Sequence, residues 1–189
     1  MFPNLETERL ILRELTQDDA ESVFKCFSNE EVTRYYGQEP FVELQQAEKL
    51  VKFFSKSFAE KRGIRWGIER KETKDMIGTI GFNVWSPIHK RAEIGYEIHP
   101  DYWRKGYTFE AVTEIVSYGF EQMGLTRIGA VVFIENEASN KLLTKIGFQQ
   151  EGILRDYMYQ NGQAHDTFVY SILQRDQKET FRDKKPINL

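Results

Sequence analysis

The sequence predicts an α/β (α+β) fold, with a mixed, mostly antiparallel sheet of about seven strands flanked by about four helices in the order β-α-α-β-β-β-α-β-α-β-β. Three observations carry this reading. Short β-rich runs follow one another between Ile64 and His99, separated only by charged, turn-like segments, as consecutive antiparallel strands do. Tyr107 to Phe120 then switches to helical spacing and hands over to the continuous apolar run RIGAVVFI, so strand, helix and strand imply a crossover to a parallel neighbour. A second helical stretch and a hairpin close the order.

The elements follow in turn. ERLILREL (8–15) alternates apolar and charged residues as a half-buried strand, and Thr16 with Asp19 forms a capping pair for a helix with Ala20, Val23, Phe24 and Phe27 on one side. After Pro40 the same spacing returns at Ala47, Leu50, Val51, Phe54 and Phe58. IRWGIER, MIGTIGFNVW and RAEIGYEIH are the three antiparallel strands. The next helix turns Ala111, Val112, Ile115, Val116 and Gly119 inward, and NEASNKLLTKIGF supplies another with Ala138, Leu142, Leu143 and Ile146 inward and Gly147 as its stop. FQQEGILRDYMY and AHDTFVYSIL meet through Gln160, Asn161 and Gly162.

With 189 residues, 40% of them apolar, the chain suits one domain over 1–189, with its core at about 5–174 and a polar tail at 175–189. A net charge of -3 gives no global basic field, so neither nucleic acid nor a membrane is an expected partner and any anion must be met locally. Cys26 is the sole cysteine and MFPNLETERLIL lacks the build of a secretion signal, which leads to a cytoplasmic expectation. His89, His99 and His165 show no metal-ligand spacing, so no metal is expected.

Local positive charge gathers in DYWRKGYTFEA (101–111). A helix beginning near Tyr107 leaves its first NH groups without partners and carries partial positive charge there, Gly106 lets an anion approach the backbone, and Arg104 and Lys105 add cations. The stretch is neither a P-loop nor a dinucleotide fingerprint, because the Lys-Ser/Thr step and the further glycines are missing, and a solvated tight turn is the plainer alternative. Just upstream, RAEIGYEIH places Glu93, Gly95, Glu97 and His99 on one face and Ala92, Ile94, Tyr96 and Ile98 on the other. Carboxylates one short loop from an anion seat suit an amine substrate, since an α-amino group titrates near ~8 and a lysine near ~10.4 and each must lose a proton to attack.

AEIGYEIHPDYWRKGYTFEA, NEASNKLLTKIGF, GILRDYMYQNGQAHDTFVYSIL and the opening TERLILREL together resemble the GCN5-related N-acetyltransferase (GNAT) superfamily, and more closely its branch acting on the N-termini of ribosomal proteins (RimJ/RimL-like). The resemblance implies acetyl-CoA as cosubstrate, its pyrophosphate on the backbone NH groups of Arg104, Lys105, Gly106, Tyr107, Thr108 and Phe109, and its pantetheine arm beside the strand ending at Ile98. The glycine-rich pattern of the family falls on Trp103, Gly106 and Thr108, the last bulkier than the usual glycine or alanine. Asn136 matches an asparagine that contacts the cofactor arm, with Asn140 grouped beside it, and Ser139 matches a serine assigned to the departing thiolate; each also reads as a helix-start residue. Leu143 stands where many relatives carry an acidic tyrosine. Glu93 matches the strand glutamate that serves as base, and Glu97 is the runner-up. The implied activity is acetyl transfer to a primary amine, with a protein N-terminus favoured over a polyamine, amino acid or antibiotic and over a non-catalytic binding module, by a monomer or homodimer.

Overall fold

Alternation in LILRE puts Leu10 and Leu12 at 0% exposure on one side of a five-residue strand, β2 (Leu10–Glu14), which pairs antiparallel with a two-residue strand, β1 (Leu5–Glu6). The computed structural model describes residues 1–176, so most of the expected tail at 175–189 lies outside the described residues. Thr16 and Asp19 form the expected capping box over a short 3₁₀ turn that leads into α1 (Ala20–Phe27). A single helical turn, α2 (Glu30–Thr33), is capped by Asn29, and α3 (Leu44–Ala59) follows.

The three central strands are β3 (Ile64–Arg70), β4 (Met76–Ser86) and β5 (Arg91–Ile98), paired antiparallel in succession. From β5 the helix α4 (Tyr107–Glu121) carries the chain back to β6 (Arg127–Phe133), which lies parallel to β5. Then α5 (Glu137–Ile146) ends at Gly147, left-handed at φ 112°, and the hairpin β7 (Gln149–Gln160) and β8 (Gln163–Leu173) turns through Asn161 and Gly162, with φ values of 52° and 73°.

The sheet order is β1-β2-β3-β4-β5-β6-β8-β7, so the last strand slots in beside β6 and leaves β7 at the edge. The expectation of about seven strands becomes eight because β1 is added, and α2 is the extra helix. Both additions are short, formed by a strand of two residues and a helix of four, too brief for periodicity to register.

Apolar side chains fill both sides of this sheet. Trp66, Ile68, Ile80, Ile94 and Ile98 pack under Ala111, Ile115 and Val116 of α4, together with Leu143 of α5. Leu15, Val23, Phe27, Val51 and Phe54 form the second layer with α1 and α3. Each valine, leucine, isoleucine or phenylalanine among them, fully buried, contributes roughly 1.5–3 kcal/mol. No helix among the described residues is long and apolar enough to cross a membrane.

Candidate active site

A break in the sheet organises the site. β5 and β6 pair at Arg91 with Arg127, Ala92 with Ile128 and Glu93 with Gly129, and at no later position among the described residues. The second half of β5 therefore keeps β4 on one edge and faces a gap on the other. His99 donates its backbone NH to Ile77 of β4 at 2.9 Å, and the Glu97 carbonyl lies where a side chain on Gly78 of β4 would begin. Backbone groups alternate in direction along a strand, so those of Ile94, Tyr96 and Ile98 point the other way, into the gap. At its far end the Ile98 carbonyl accepts the Trp103 indole NH at 2.6 Å, tying the splayed strand to the turn that follows.

That turn is the expected anion seat. Arg104 and Gly106 both adopt left-handed backbone, at φ 59° and 82°, and the first bond of the helical type runs from the Glu110 NH to the Gly106 carbonyl at 3.1 Å. No acceptor among the described residues meets the NH groups of Arg104, Lys105, Gly106, Tyr107, Thr108 and Phe109. Arg9 reaches in from β2's approach, donating to the Lys105 carbonyl at 2.9 Å and to Glu110 at 2.7 Å, with its guanidinium 4.5 Å from the Tyr107 ring centre. Burial pushes the Glu110 carboxyl up, but the Thr7 hydroxyl, the Arg9 NH and the Arg9 guanidinium together hold it below its ordinary value. Lys105 donates to the Asp101 carbonyl at 2.7 Å, Arg104 is exposed, and Lys145 sits 5.1 Å over the Phe109 ring. Bare NH groups at the head of a 15-residue helix, with Arg9, Arg104 and Lys105 around them, fit a diphosphate.

α5 closes one side of the gap. Asn136 caps it, accepting the Ser139 NH at 3.2 Å, and the Ser139 hydroxyl lies 2.6 Å from the Tyr96 hydroxyl of β5. Burial pushes the Tyr96 phenol up to about 12 against the lowering effect of Ser139, so it stays protonated near neutral pH. Asn140 donates to the carbonyls of Phe133 and Ile134 at 3.3 and 3.0 Å and accepts the Tyr170 hydroxyl at 3.0 Å, which engages both ends of its amide in holding the end of β6. Leu143 is 0% exposed and belongs to the core.

The two glutamates differ sharply in setting. Glu93 is half-buried at the mouth of the gap, opposite Asn83 on β4 and beside Gly129, where a β-carbon would sit 3.5 Å from its Cγ. Glu97 is 5% exposed and accepts short hydrogen bonds from Arg65 of β3 and Thr79 of β4. A cavity of about 420 Å³ opens on the same side of the sheet, lined by Phe53, Phe54, Ser57, Arg65 and Asn83 among others. Val84 on its rim holds φ 48°, a left-handed backbone that a β-branched residue rarely adopts.

Sequence reasoning did not single out Arg9, Arg65 or the hydroxyl of Tyr96. For Arg65 a signal existed: an arginine inside the apolar strand IRWGI has to find a buried partner. Arg9 and Tyr96 gave none, because their partners lie far along the chain at Glu110 and Ser139.

Bare NH groups at a helix start, a gap between parallel strands and a carboxylate at its mouth suit a transferase that handles a phosphate-bearing donor. Residues 9–149 match the family model for the acetyltransferase (GNAT) domain, and the chain belongs to that family. It is 61% identical over 173 residues to the Bacillus subtilis (strain 168) protein called uncharacterized N-acetyltransferase YoaA, covering 92% of this chain and 98% of that one. It is 30% identical over 166 residues to spermidine N(1)-acetyltransferase of Escherichia coli (strain K12), covering 86% of this chain and 85% of that one. The crystal structure of the Vibrio cholerae spermidine N-acetyltransferase in complex with CoA and spermine superposes with a TM-score of 0.80 at 26% identity, over 90% of this chain and 98% of that one. The protein is an N-acetyltransferase with acetyl-CoA as cosubstrate.

Proposed function

We propose that this chain, as one acetyltransferase domain, acetylates the α-amino group of a protein N-terminus by direct attack on the thioester. The observation that carries the donor side is the run of bare NH groups from Arg104 to Phe109 beside the β5/β6 gap. The seat grips the diphosphate, and the gap-facing Tyr96 NH receives the thioester oxygen as charge develops on it. Glu93, directly or through a water, takes a proton from the incoming ammonium; the nitrogen–carbon bond forms and the carbon–sulfur bond breaks. Ser139, backed by the protonated Tyr96, gives a proton to the leaving thiolate and regains one from the acylated nitrogen, which sheds its second proton as the amide forms. Glu97 stands apart as the partner of Arg65.

What favours an α-amino acceptor over a polyamine is the cavity beside Glu93's strand neighbour Asn83. Phenylalanine faces, Arg62 and Arg65 line it and, among the described residues, no carboxylate does, so a neutral or apolar chain following the reacting amine is accommodated and a second ammonium finds no counter-charge. Thiol release from acetyl-CoA, measured with peptides of varied first residue and with spermidine, tests this. Peptide-dependent release that exceeds spermidine-dependent release is the expected outcome, and the reverse order would assign the polyamine instead. Glu93→Gln is expected to leave coenzyme A affinity within about threefold and to slow turnover by about 10²-fold or more; equal loss of affinity would remove Glu93 from the base role.

A further inference from the structure

Arg65 crosses the sheet. Its side chain starts on β3, lies over Gly81 of β4 and ends on β5, where it donates to the Gly95 carbonyl at 3.0 Å as well as to Glu97 and, on the way, to Thr79 at 2.8 Å. The path exists because two glycines clear it: a β-carbon on Gly81 would meet Arg65 Cδ at 2.9 Å, and one on Gly95 would meet Arg65 Nη1 at 3.1 Å. Arg65 is 3% exposed, and burial works against its charge, yet Glu97 outweighs that and holds it charged. An ion pair this deep is an expensive way to stabilise a fold, since apolar residues of similar volume often do as well or better.

The carbonyl that Arg65 holds belongs to the same peptide unit as the Tyr96 NH. In a trans peptide the two groups point in opposite directions, so the guanidinium grips this plane from the β4 side while the NH is presented to the gap. β6 provides no ladder bond at this level, so the plane is held from the β4 side alone, where Gly95 pairs with Gly81 and Arg65 adds a charged second donor to the same carbonyl. A cation donating to the carbonyl also polarises the peptide and makes its NH the stronger donor.

We propose that Arg65 is a positioning residue for acyl transfer: as a charged donor added to the β4 ladder it steadies and polarises the Gly95–Tyr96 peptide whose NH meets the thioester oxygen, and Glu97 and Thr79 hold Arg65 in place for that task. The inference rests on the reading of Tyr96 given above. Removing the whole pair with Arg65→Met and Glu97→Met avoids leaving a buried charge alone, and Arg65→Lys keeps the charge while losing the fork that reaches both groups.

The decisive readout is the carbonyl stretch of bound acetyl-CoA labelled with carbon-13 at the thioester carbon, recorded by infrared difference spectroscopy without acceptor. In the wild type the bound band is expected below its position in free solution. It should return towards the free position in the double variant and part of the way in Arg65→Lys, with coenzyme A affinity within about threefold. Loss of an entire oxyanion donor costs about 10²–10³-fold, so loosening one is expected to lower kcat by about tenfold or more. A band unmoved in both variants overturns the proposal, and a large fall in kcat with an unmoved band would make Glu97 itself the base. If the double variant fails to fold, the Arg65→Lys band alone decides. A wild type that binds no acetyl-CoA would sink the coenzyme seat and this inference together, an outcome distinct from either.

Discussion

Replacing Gly106 with valine separates two effects that usually travel together. At φ 82° an L side chain is strained by about 1–2 kcal/mol, and a valine by more. That cost is present with and without ligand, so it lowers stability and leaves affinity alone; for a chain of this size it is worth about 2–8 °C in Tm. Within the protein the new β-carbon meets only the end of Arg9, at 3.2 Å, the far tip of a 42% exposed side chain that needs to shift by only a few tenths of an ångström. The outward branches of valine, in contrast, stand where a phosphate has to approach the NH groups. Losing two charge-assisted bonds at about 1.5–3 kcal/mol each removes roughly 3–6 kcal/mol, which corresponds to about 10²–10⁴-fold in Kd. Titration calorimetry with coenzyme A, paired with a melting curve, reads both quantities. A lower Tm with Kd still within threefold of the wild type would refute the seat, because it would show the strain without the exclusion.

Ser139→Ala and Tyr96→Phe are each expected to lower kcat by about tenfold with little change in coenzyme A affinity, and the double variant should cost little more than either alone, since the two hydroxyls share one bond at 2.6 Å. Additive losses in steady-state rates would show that they act separately. Asp19, bonded to Arg13 at 2.8 Å, has its carboxyl lowered below the ordinary value: burial pushes it up, and the Arg13 and Thr16 bonds outweigh that. Its stabilisation is therefore complete above the unfolded value of about 3.9 and is lost as pH falls through the folded one. Urea unfolding should show Asp19→Asn about 1–3 kcal/mol less stable than the wild type at pH 7, with the difference closing below about pH 4; a constant difference would contradict the assignment.

Much of this architecture was legible because local chemistry and tertiary demand agree. The 3.6-residue spacing from Tyr107 to Phe120, the Thr16/Asp19 pair and the Asn161-Gly162 turn each specify their conformation within a few residues, and the structure has all three. The Gly106 turn was legible for the same reason. The setting of Glu97 was not, because alternation says only that it shares a face with Glu93, while its partners are Arg65, 32 residues earlier, and Thr79. Asn140 likewise reads as a polar residue near a helix start until Tyr170, 30 residues later, arrives beside it.

The gap imposes a structural cost that explains where the polar side chains have gone. A strand that parts from its neighbour turns peptide groups towards a place where no ladder can satisfy or orient them. Here β5 is pinned on every side from Gly95 to Ile98: Arg65 at the Gly95 carbonyl, Ser139 at the Tyr96 hydroxyl, Arg65 and Thr79 at Glu97, and Trp103 at the Ile98 carbonyl. These anchors come from β3, β4, α5 and the turn before α4, so the half of β5 that lines the gap is held from four separate elements. Loosening an uncharged anchor, Ser139 or Trp103, should therefore be felt first in the rate of transfer and only later in the stability of the fold, because the two apolar layers beneath and the buried Arg65–Glu97 pair are left intact.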